Sequence, residues 1–545
     1  MHMKNTFDYV IVGAGTAGCV LAKRLSEDSG IRILILEAGG WDYDPFIHIP
    51  LGFGRNAGVH HDWLYRSEPH PAINGRTMEQ ARGKVIGGCS SVNAMTHVRG
   101  HHTDYDRWAS SGLTEWSYRH ALPYFKKQES WEGGENFWRG GSGPISIQKN
   151  RYVDPFSEAY AQAGVSMGYQ KNEDYNAYEQ DGFALHQVTI GNGKRCSAAV
   201  AYLRPALANG NVQVVTKAHV ARVLMNANRA IGVEYLRNGK IQRVYADREV
   251  ILCGGVINSP QLLMLSGIGE HVQLKDNGIP TQVNLPGVGK NLQDQVVARI
   301  AFGREPSGPF HHMMRLDRAI MEFGKAYLFG RGMATSMPSA GVAFVRSKPG
   351  LPAPDLQIVT AATPHDAYPY LPPFKAAYRD LLVTRVILLR PESRGEIRLR
   401  SANPTDKVRI YQNMLTCDSD WDVLGNGVRL LRELGQQPSL RDFISKEVGS
   451  IPVSNQDPDM RNFLRETANS FRHTLGTCRM GVETDDMAVV DTTLKVRGTD
   501  ALRVIDASVM PDMVGGNINS AVMMIAERAS DLIRAKKPLA ATTFE

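Results

Sequence analysis

Two hydrophobic textures alternate along this chain. Phe7 to Val12 and Arg32 to Glu37 are nearly unbroken apolar runs, the pattern of strands buried on both faces of a parallel sheet. Between them Ala17, Leu21 and Leu25 share one stripe, which predicts a helix. Val250 to Cys253 and Leu502 to Ile505 repeat the buried-strand pattern. From about Ser520 a helix carries Ala521, Ile525, Ala529 and Leu532 on its buried side. Val212 to Val215 and Val220 to Tyr235 read as strands of a small meander, with a turn at Asn238-Gly239. Trp108 to Glu129 and Pro155 to Met167 have helical periodicity. Ser259 as a cap, with Pro260 at the first helical position, predicts a helix through Leu262, Leu263 and Leu265 that stops at Gly267.

Residues 300 to 470 differ. Seven prolines between Pro349 and Pro373 predict a long ordered loop. Val383 to Leu389 and Glu396 to Leu399, across a Ser-Arg-Gly turn, read as a hairpin, and Trp421 to Leu434 and Pro458 to Thr467 as helices.

The chemistry sits where these elements meet. Gly13, Gly15 and Gly18 fill the GxGxxG positions between the first strand and helix: a tight turn, a close approach for a pyrophosphate, and close helix packing. The pyrophosphate would lie at the helix N-terminus, and Glu37, ending the second strand, is placed to accept from a ribose. A dinucleotide is therefore expected. Arg82 to Gly100, RGKVIGGCSSVNAMTHVRG, has paired glycines that let backbone lie against a flat ligand. Gly515-Gly516-Asn517 follows the strand that ends at Asp506, so both ends of the chain should touch the cofactor, with a substrate region between them.

Composition narrows the class. The chain has 545 residues, more than one ordinary domain, with 43% apolar and 21% charged residues. Its net charge of +7 is spread without a basic block, which argues against a nucleic-acid partner. Six cysteines stand far apart with no CxxC pair, so neither a zinc site nor a disulfide framework is expected. No apolar run reaches the roughly 18 residues of a membrane span, and the first strand begins at Phe7, leaving no room for a signal peptide. A cytoplasmic protein is expected, at most peripheral to a membrane.

Four motifs together resemble the glucose-methanol-choline (GMC) family of flavin-dependent oxidoreductases: the N-terminal fingerprint with Glu37-Ala38-Gly39; the 82–100 segment with Asp104, Tyr105, Asp106 and Trp108 after it; GGVINSPQLLMLSGIG at 254–269; and HTLGTCRMG at 473–481 leading to LRVIDASVMP and GGNINSAVMMIAERASDLI. The tail is similar to those of choline dehydrogenases and bacterial alcohol dehydrogenases. The resemblance implies an α/β plus α+β architecture. A Rossmann-like FAD-binding domain (1–155, 191–298, 471–545) would carry a discontinuous substrate domain (156–190, 299–470) built on an antiparallel sheet flanked by helices.

It also implies FAD held by Gly13, Gly15, Thr16, Ala17, Gly18, Glu37 and Ala38. Arg82, Gly88, Asn93 and Ala94 would lie beside the isoalloxazine, with Val220 near the adenine, Asp506 and Ala507 near the far end, and Gly83, Ile86, Met95, Asn517 and Ile518 also binding the cofactor. Val92 stands where some members carry a histidine joined covalently to the flavin, so noncovalent FAD is expected. Val256, where relatives usually have a smaller residue, is a mild departure.

His473 and Asn517 are placed together at the reactive face. His473 would take the hydroxyl proton of an alcohol, Asn517 would hold the oxygen, and hydride would pass to flavin N5. Some relatives carry a second histidine in place of Asn517, and asparagine cannot take a proton. Cys478, close by in sequence, reads as packing rather than nucleophile. The resemblance makes a primary alcohol, aliphatic or aromatic, the default substrate, with polyols, glycol ethers and quaternary ammonium alcohols open; choline lacks an evident acidic-aromatic cage. The electron acceptor, oxygen or a quinone or another carrier, is not written in any motif.

Two rival classes fit less of the chain. Gly164-Val165-Ser166-Met167-Gly168 matches the GxSxG of serine hydrolases, yet that elbow needs a strand before the serine and a helix after it, whereas residues before Ser166 read as helix. A nicotinamide-dependent dehydrogenase would leave residues 82–100 and the C-terminal motif unexplained. A noncatalytic flavin-binding protein would have little use for His473 beside Asn517.

Overall fold

The computed structural model describes residues 5–56, 60–364, 366–449 and 457–544. β1 (Thr6–Val12), α1 (Thr16–Leu25) and β2 (Ile33–Glu37) form the expected parallel unit, in register from Tyr9↔Ile33 to Val12↔Leu36. β3 (Val212–Thr216) extends the sheet beyond β2. A meander follows of β4 (His219–Asn226), β5 (Arg229–Arg237) and β6 (Lys240–Leu252), with Asn238 and Gly239 at φ of 51° and 72° in the β5–β6 turn. β6 starts antiparallel to β5 and ends parallel to β1, so one strand joins the meander to the nucleotide sheet. Its end brings the backbone of Cys253 against Gly13.

α2 (Gly255–Leu265) starts four residues before Ser259, correcting the predicted cap; Pro260 lies inside it. Ser259 still serves the start, because its hydroxyl accepts from Gly254 N–H and donates to Asp506. Proline removes the N–H that would have bonded the Val256 carbonyl, and the Thr477 hydroxyl donates to that carbonyl instead at 2.6 Å.

The second sheet contains β7 (Val296–Arg304), β8 (Ser339–Val345), β9 (Leu356–Ala361) and β10 (Leu381–Leu388), with α3 (Leu316–Phe329) between β7 and β8. These strands run antiparallel in the order β7-β10-β9-β8, edged by Ile444–Glu447 and Gly182–Ala184. Val296, Ala298, Ile300, Val386 and Leu388 face Trp421, Leu424 and Val428 of α4 (Asp418–Gly435) in one core. The opposite face looks into a cavity. β11 (Leu502–Val504) then returns to β6, and α5 (Asn519–Ile533) closes against α1.

Three further expectations change. The proline-rich loop contains β9, because Pro354 and Pro364 flank the strand rather than interrupt it and both its edges are paired. The hairpin does not form: Glu396–Arg398 pairs with Arg409–Tyr411, since Asp420 of α4 accepts from Glu392 and Ser393 N–H and draws the chain off β10. Trp108–Glu129 is two helices, His102–Ser110 and Tyr118–Gln128. Gly112 separates them at φ +93°, and a capping box of His101 and Asp104 starts the first one early.

Candidate active site

One cavity of about 1240 Å³ is lined from both sheets. At its nucleotide end the walls are backbone. A Cβ at Gly13 would stand 2.5 Å from the Cys253 carbonyl oxygen, and one at Gly88 would stand 2.8 Å from Gly15 Cα, so the two glycine segments touch main chain to main chain. No side chain caps α1 or α5, and both helices begin on this cavity. Thr16 Oγ1 donates to Asn519 Oδ1 at 2.8 Å and ties their first turns together. Two uncapped helix starts side by side suit the phosphates of a dinucleotide. Glu37 lines the same end; its carboxylate accepts from Ala14 and Gly39 N–H at 2.9 and 2.7 Å, and burial raises its pKa.

At the other end His473 and Asn517 meet, Nε2 to Nδ2, at 3.1 Å. The tautomer follows from their neighbours. Gln295 Nε2 donates to the carbonyls of Leu389, Val514 and Gly516 at 3.1–3.2 Å, so its Oε1 must face His473. His473 Nδ1–H therefore donates to Gln295 Oε1 at 2.8 Å, and Nε2 keeps its lone pair toward the cavity and the Asn517 amide. Asn517 Oδ1 in turn accepts from Gln357 Nε2 at 3.4 Å. Burial, then the positive charge of Arg82, push the imidazolium pKa down to about 3. The ring is a neutral acceptor throughout the ordinary pH range.

Asp294 holds the main chain beneath this ring. Its Oδ1 accepts from His473 N–H at 2.9 Å, and Oδ2 accepts from Ser470 Oγ at 2.5 Å and Gln412 Nε2 at 2.7 Å. Burial outweighs these donors and raises the carboxyl pKa to about 6. Arg82 donates to Thr474 from the adjoining wall.

Gly13, Gly15, Thr16, Ala17, Glu37, Ala38, Arg82, Gly83, Gly88, Asn93, Ala94, Met95, Val220, His473, Asp506, Ala507, Asn517 and Ile518 all line the cavity. Gly18 and Ile86 do not. A Cβ at Gly18 would be 2.0 Å from the Gly13 carbonyl oxygen, so this glycine packs helix on strand, and Ile86 is buried in the core that β1, α1 and β2 share. Asp506 is turned to structure: it accepts from Gly255 and Ser508 N–H and from Ser259 Oγ, fixing the start of α2. Ser166 is the exposed last residue of the helix Pro155–Ser166 and bonds back to the Gln162 carbonyl, which rules out an elbow. Cys478 is fully buried with its thiol pKa pushed up, a packing residue. Among the described residues no cluster could hold a metal ion, and no helix is long and apolar enough to cross a membrane.

Sequence reasoning missed Asp294, Gln295 and Gln357, and with them Arg299 and Arg385 on the cavity face of β7 and β10. They are isolated polar residues on, or just before, apolar strands, so no local pattern marked them; strand register and cross-strand pairing bring them together.

A backbone-walled cleft that ends on an unprotonated imidazole nitrogen suits a dinucleotide-dependent oxidoreductase. The model for GMC oxidoreductases matches residues 7–297 and its C-terminal counterpart residues 391–526, so the chain belongs to the GMC oxidoreductase family of FAD-dependent enzymes acting on alcohols. It is 40% identical over 542 residues to a mitochondrial choline dehydrogenase of Mus musculus, covering 97% of this chain and 90% of that protein. An oxygen-dependent choline dehydrogenase of Brucella anthropi is 40% identical over 546 residues, covering 99% and 97%. Among solved structures, pyridoxine 4-oxidase from Mesorbium loti superposes with a TM-score of 0.87 at 29% identity, covering 97% of this chain and 100% of that one. A formate oxidase of Aspergillus oryzae gives 0.90 at 28% identity, covering 98% and 99%.

Proposed function

We propose that the protein oxidises a primary alcohol to its carbonyl compound with His473 as base and noncovalently held FAD as oxidant. The observation that carries this reading is the unprotonated His473 Nε2, which lines the cavity and accepts from the Asn517 amide at 3.1 Å. Bound FAD supplies the hydride acceptor that no side chain can replace. Gly13, Gly15, Thr16 and Glu37 would hold its nucleotide, and Arg82, Gly88, Asn93 and Ala94 its ring system. Val92 lines the cavity with an alkyl group that forms no bond to a flavin.

His473 Nε2 accepts the hydroxyl proton, and Asn517 Nδ2 donates to the oxygen as its charge grows. Gln295 keeps the opposite nitrogen protonated, so the ring cannot turn its N–H to the substrate. A positioned base contributes about 10² to 10⁴ in rate. The electron acceptor is oxygen or a diffusible carrier such as a quinone.

The purified protein should be yellow, release FAD on denaturation, and bleach when primary alcohols are added without air. His473→Ala should keep its FAD and lose about 10² to 10⁴ of the bleaching rate. Near-normal bleaching would remove His473 as base, and a folded protein with no affinity for FAD would remove the whole reading. Admitting air to the reduced enzyme separates oxygen from other acceptors.

A further inference from the structure

Two arginines face the substrate end of the cavity without partners. Arg299 on β7 and Arg385 on β10 are directly opposite in register, and both line the cavity. Among the described residues neither side chain makes an ion pair or a hydrogen bond, whereas the other cavity arginines are engaged: Arg55 lies over the Phe46 ring at 4.2 Å. Arg82 bonds Thr474, Arg472 pairs with Glu79, and Arg76 donates to the carbonyls of Ile73, Arg465 and Ala468. Like charges facing each other across a strand pair cost stability. Burial, then Arg299, lower the Arg385 pKa to about 10, which still leaves it charged at neutral pH.

The carboxylates of the lining do not offset this pair. Glu37 and Asp506 belong to the nucleotide end, Asp62 accepts from Leu64 and Arg82 N–H, and Glu466 accepts from Asn74. Arg299 is exposed and Arg385 half-buried, and Val297, Val359 and Ala361 share their sheet face.

The pair has a fixed place relative to the base. Gln357, which bonds Asn517, is paired with Ile387, and Val359 with Arg385. Arg385 thus lies one strand over and two residues along from Gln357, about 8 Å between Cα atoms for ordinary strand spacing and rise. Unpaired guanidinium forks at that distance match a planar oxyanion.

We propose that the substrate is an alcohol carrying an oxyanion, a carboxylate or another of that kind, a few bonds from the carbinol carbon, and that Arg299 and Arg385 bind that anion. This rests on the alcohol-oxidising reading above. The alcohol gives its hydroxyl proton to His473 and two electrons with the carbon-bound hydrogen to FAD, becoming the carbonyl compound, while its anionic group is unchanged. A quaternary ammonium alcohol such as choline would be repelled from the same wall.

Holoenzyme is tested by anaerobic flavin bleaching with 4-hydroxybutanoate, its methyl ester, 1-butanol and choline, and by calorimetric binding of butanoate and butanamide, which carry no hydroxyl. The hydroxy acid should exceed the ester at least 10-fold in bleaching efficiency, choline should be the poorest, and butanoate should bind where butanamide does not. In Arg385→Gln and Arg299→Gln the acid-to-ester ratio should fall toward one. Equal efficiency of acid and ester, preference for choline, or a ratio unchanged in both variants would overturn the proposal. Should the variants fail to fold, the wild-type comparison decides alone. If no alcohol of any charge bleaches the flavin, the alcohol-oxidising reading fails instead, and failure of butanoate to bind then overturns the anion site as well.

Discussion

At the nucleotide end of the cavity the wall is main chain, glycine against glycine with two helix starts, whereas at the substrate end it is a set of side chains held by other side chains. The first end binds with groups every residue possesses, and its specificity lies in how closely the chain can approach. The second works through individual functional groups, each needing a neighbour to orient it. The two ends should therefore fail differently: the main-chain end through loss of cofactor, the side-chain end through loss of rate or selectivity with cofactor retained.

Gly13→Ala gives the largest break on the main-chain side. The added Cβ would be 2.5 Å from the Cys253 carbonyl oxygen, and the φ of +103° is one that alanine rarely adopts. Neither backbone can yield without moving β1 or β6. The variant should purify without FAD or fail to accumulate, as read from flavin absorbance per mole of protein. Retention of full FAD would mean that close approach is not what builds this end.

The same contrast decides what could be read in advance. Glycines at fixed spacing after an apolar run are a local pattern, so Gly13, Gly15 and Glu37 were legible, and the surrounding parallel unit with them. His473 and Asn517 were legible through the motifs around them, not through their own chemistry. Gln295, Gln357 and Arg385 were not, because each looks like an ordinary polar residue at one position of a strand or its approach. Their meaning depends on which face a strand turns to the cavity and on pairings across long sequence separations. β9 was hidden for a related reason: a strand buried on both sides between prolines has the composition of a loop's anchor points.

Gln295→Met tests the side-chain end more gently. It keeps the volume but removes both the acceptor for His473 Nδ1–H and the donor to three carbonyls. Flavin bleaching by alcohol should slow by about 10- to 100-fold, the size found when the partner that orients a metal-bound histidine is lost. FAD content should be unchanged. A fall in FAD content with an unchanged rate per flavin would make Gln295 a packing residue.

The smallest effect concerns Asp294, where stability and pH are linked. Its carboxyl pKa is raised from 3.8 to about 6 by burial, so the folded state favours the protonated form. Its favourable contribution is complete below the unfolded pKa and is lost as pH rises through about 6. Asp294→Asn keeps the shape and cannot ionise. Its oxygen can still accept from His473 N–H, and the Gln412 amide can turn its otherwise unpaired Oε1 toward the new NH₂ group. The melting temperature of the variant relative to wild type should therefore rise between pH 4 and pH 7, by a difference worth roughly 1 to 3 kcal/mol. His473 works the opposite way: its lowered pKa costs the folded state stability as pH falls below the ordinary histidine value of 6.5, and it does so equally in both proteins. A difference between the two proteins that stays flat across this range would mean that Asp294 is ionised in the folded state at both limits, its charge held by Ser470, Gln412 and the His473 N–H.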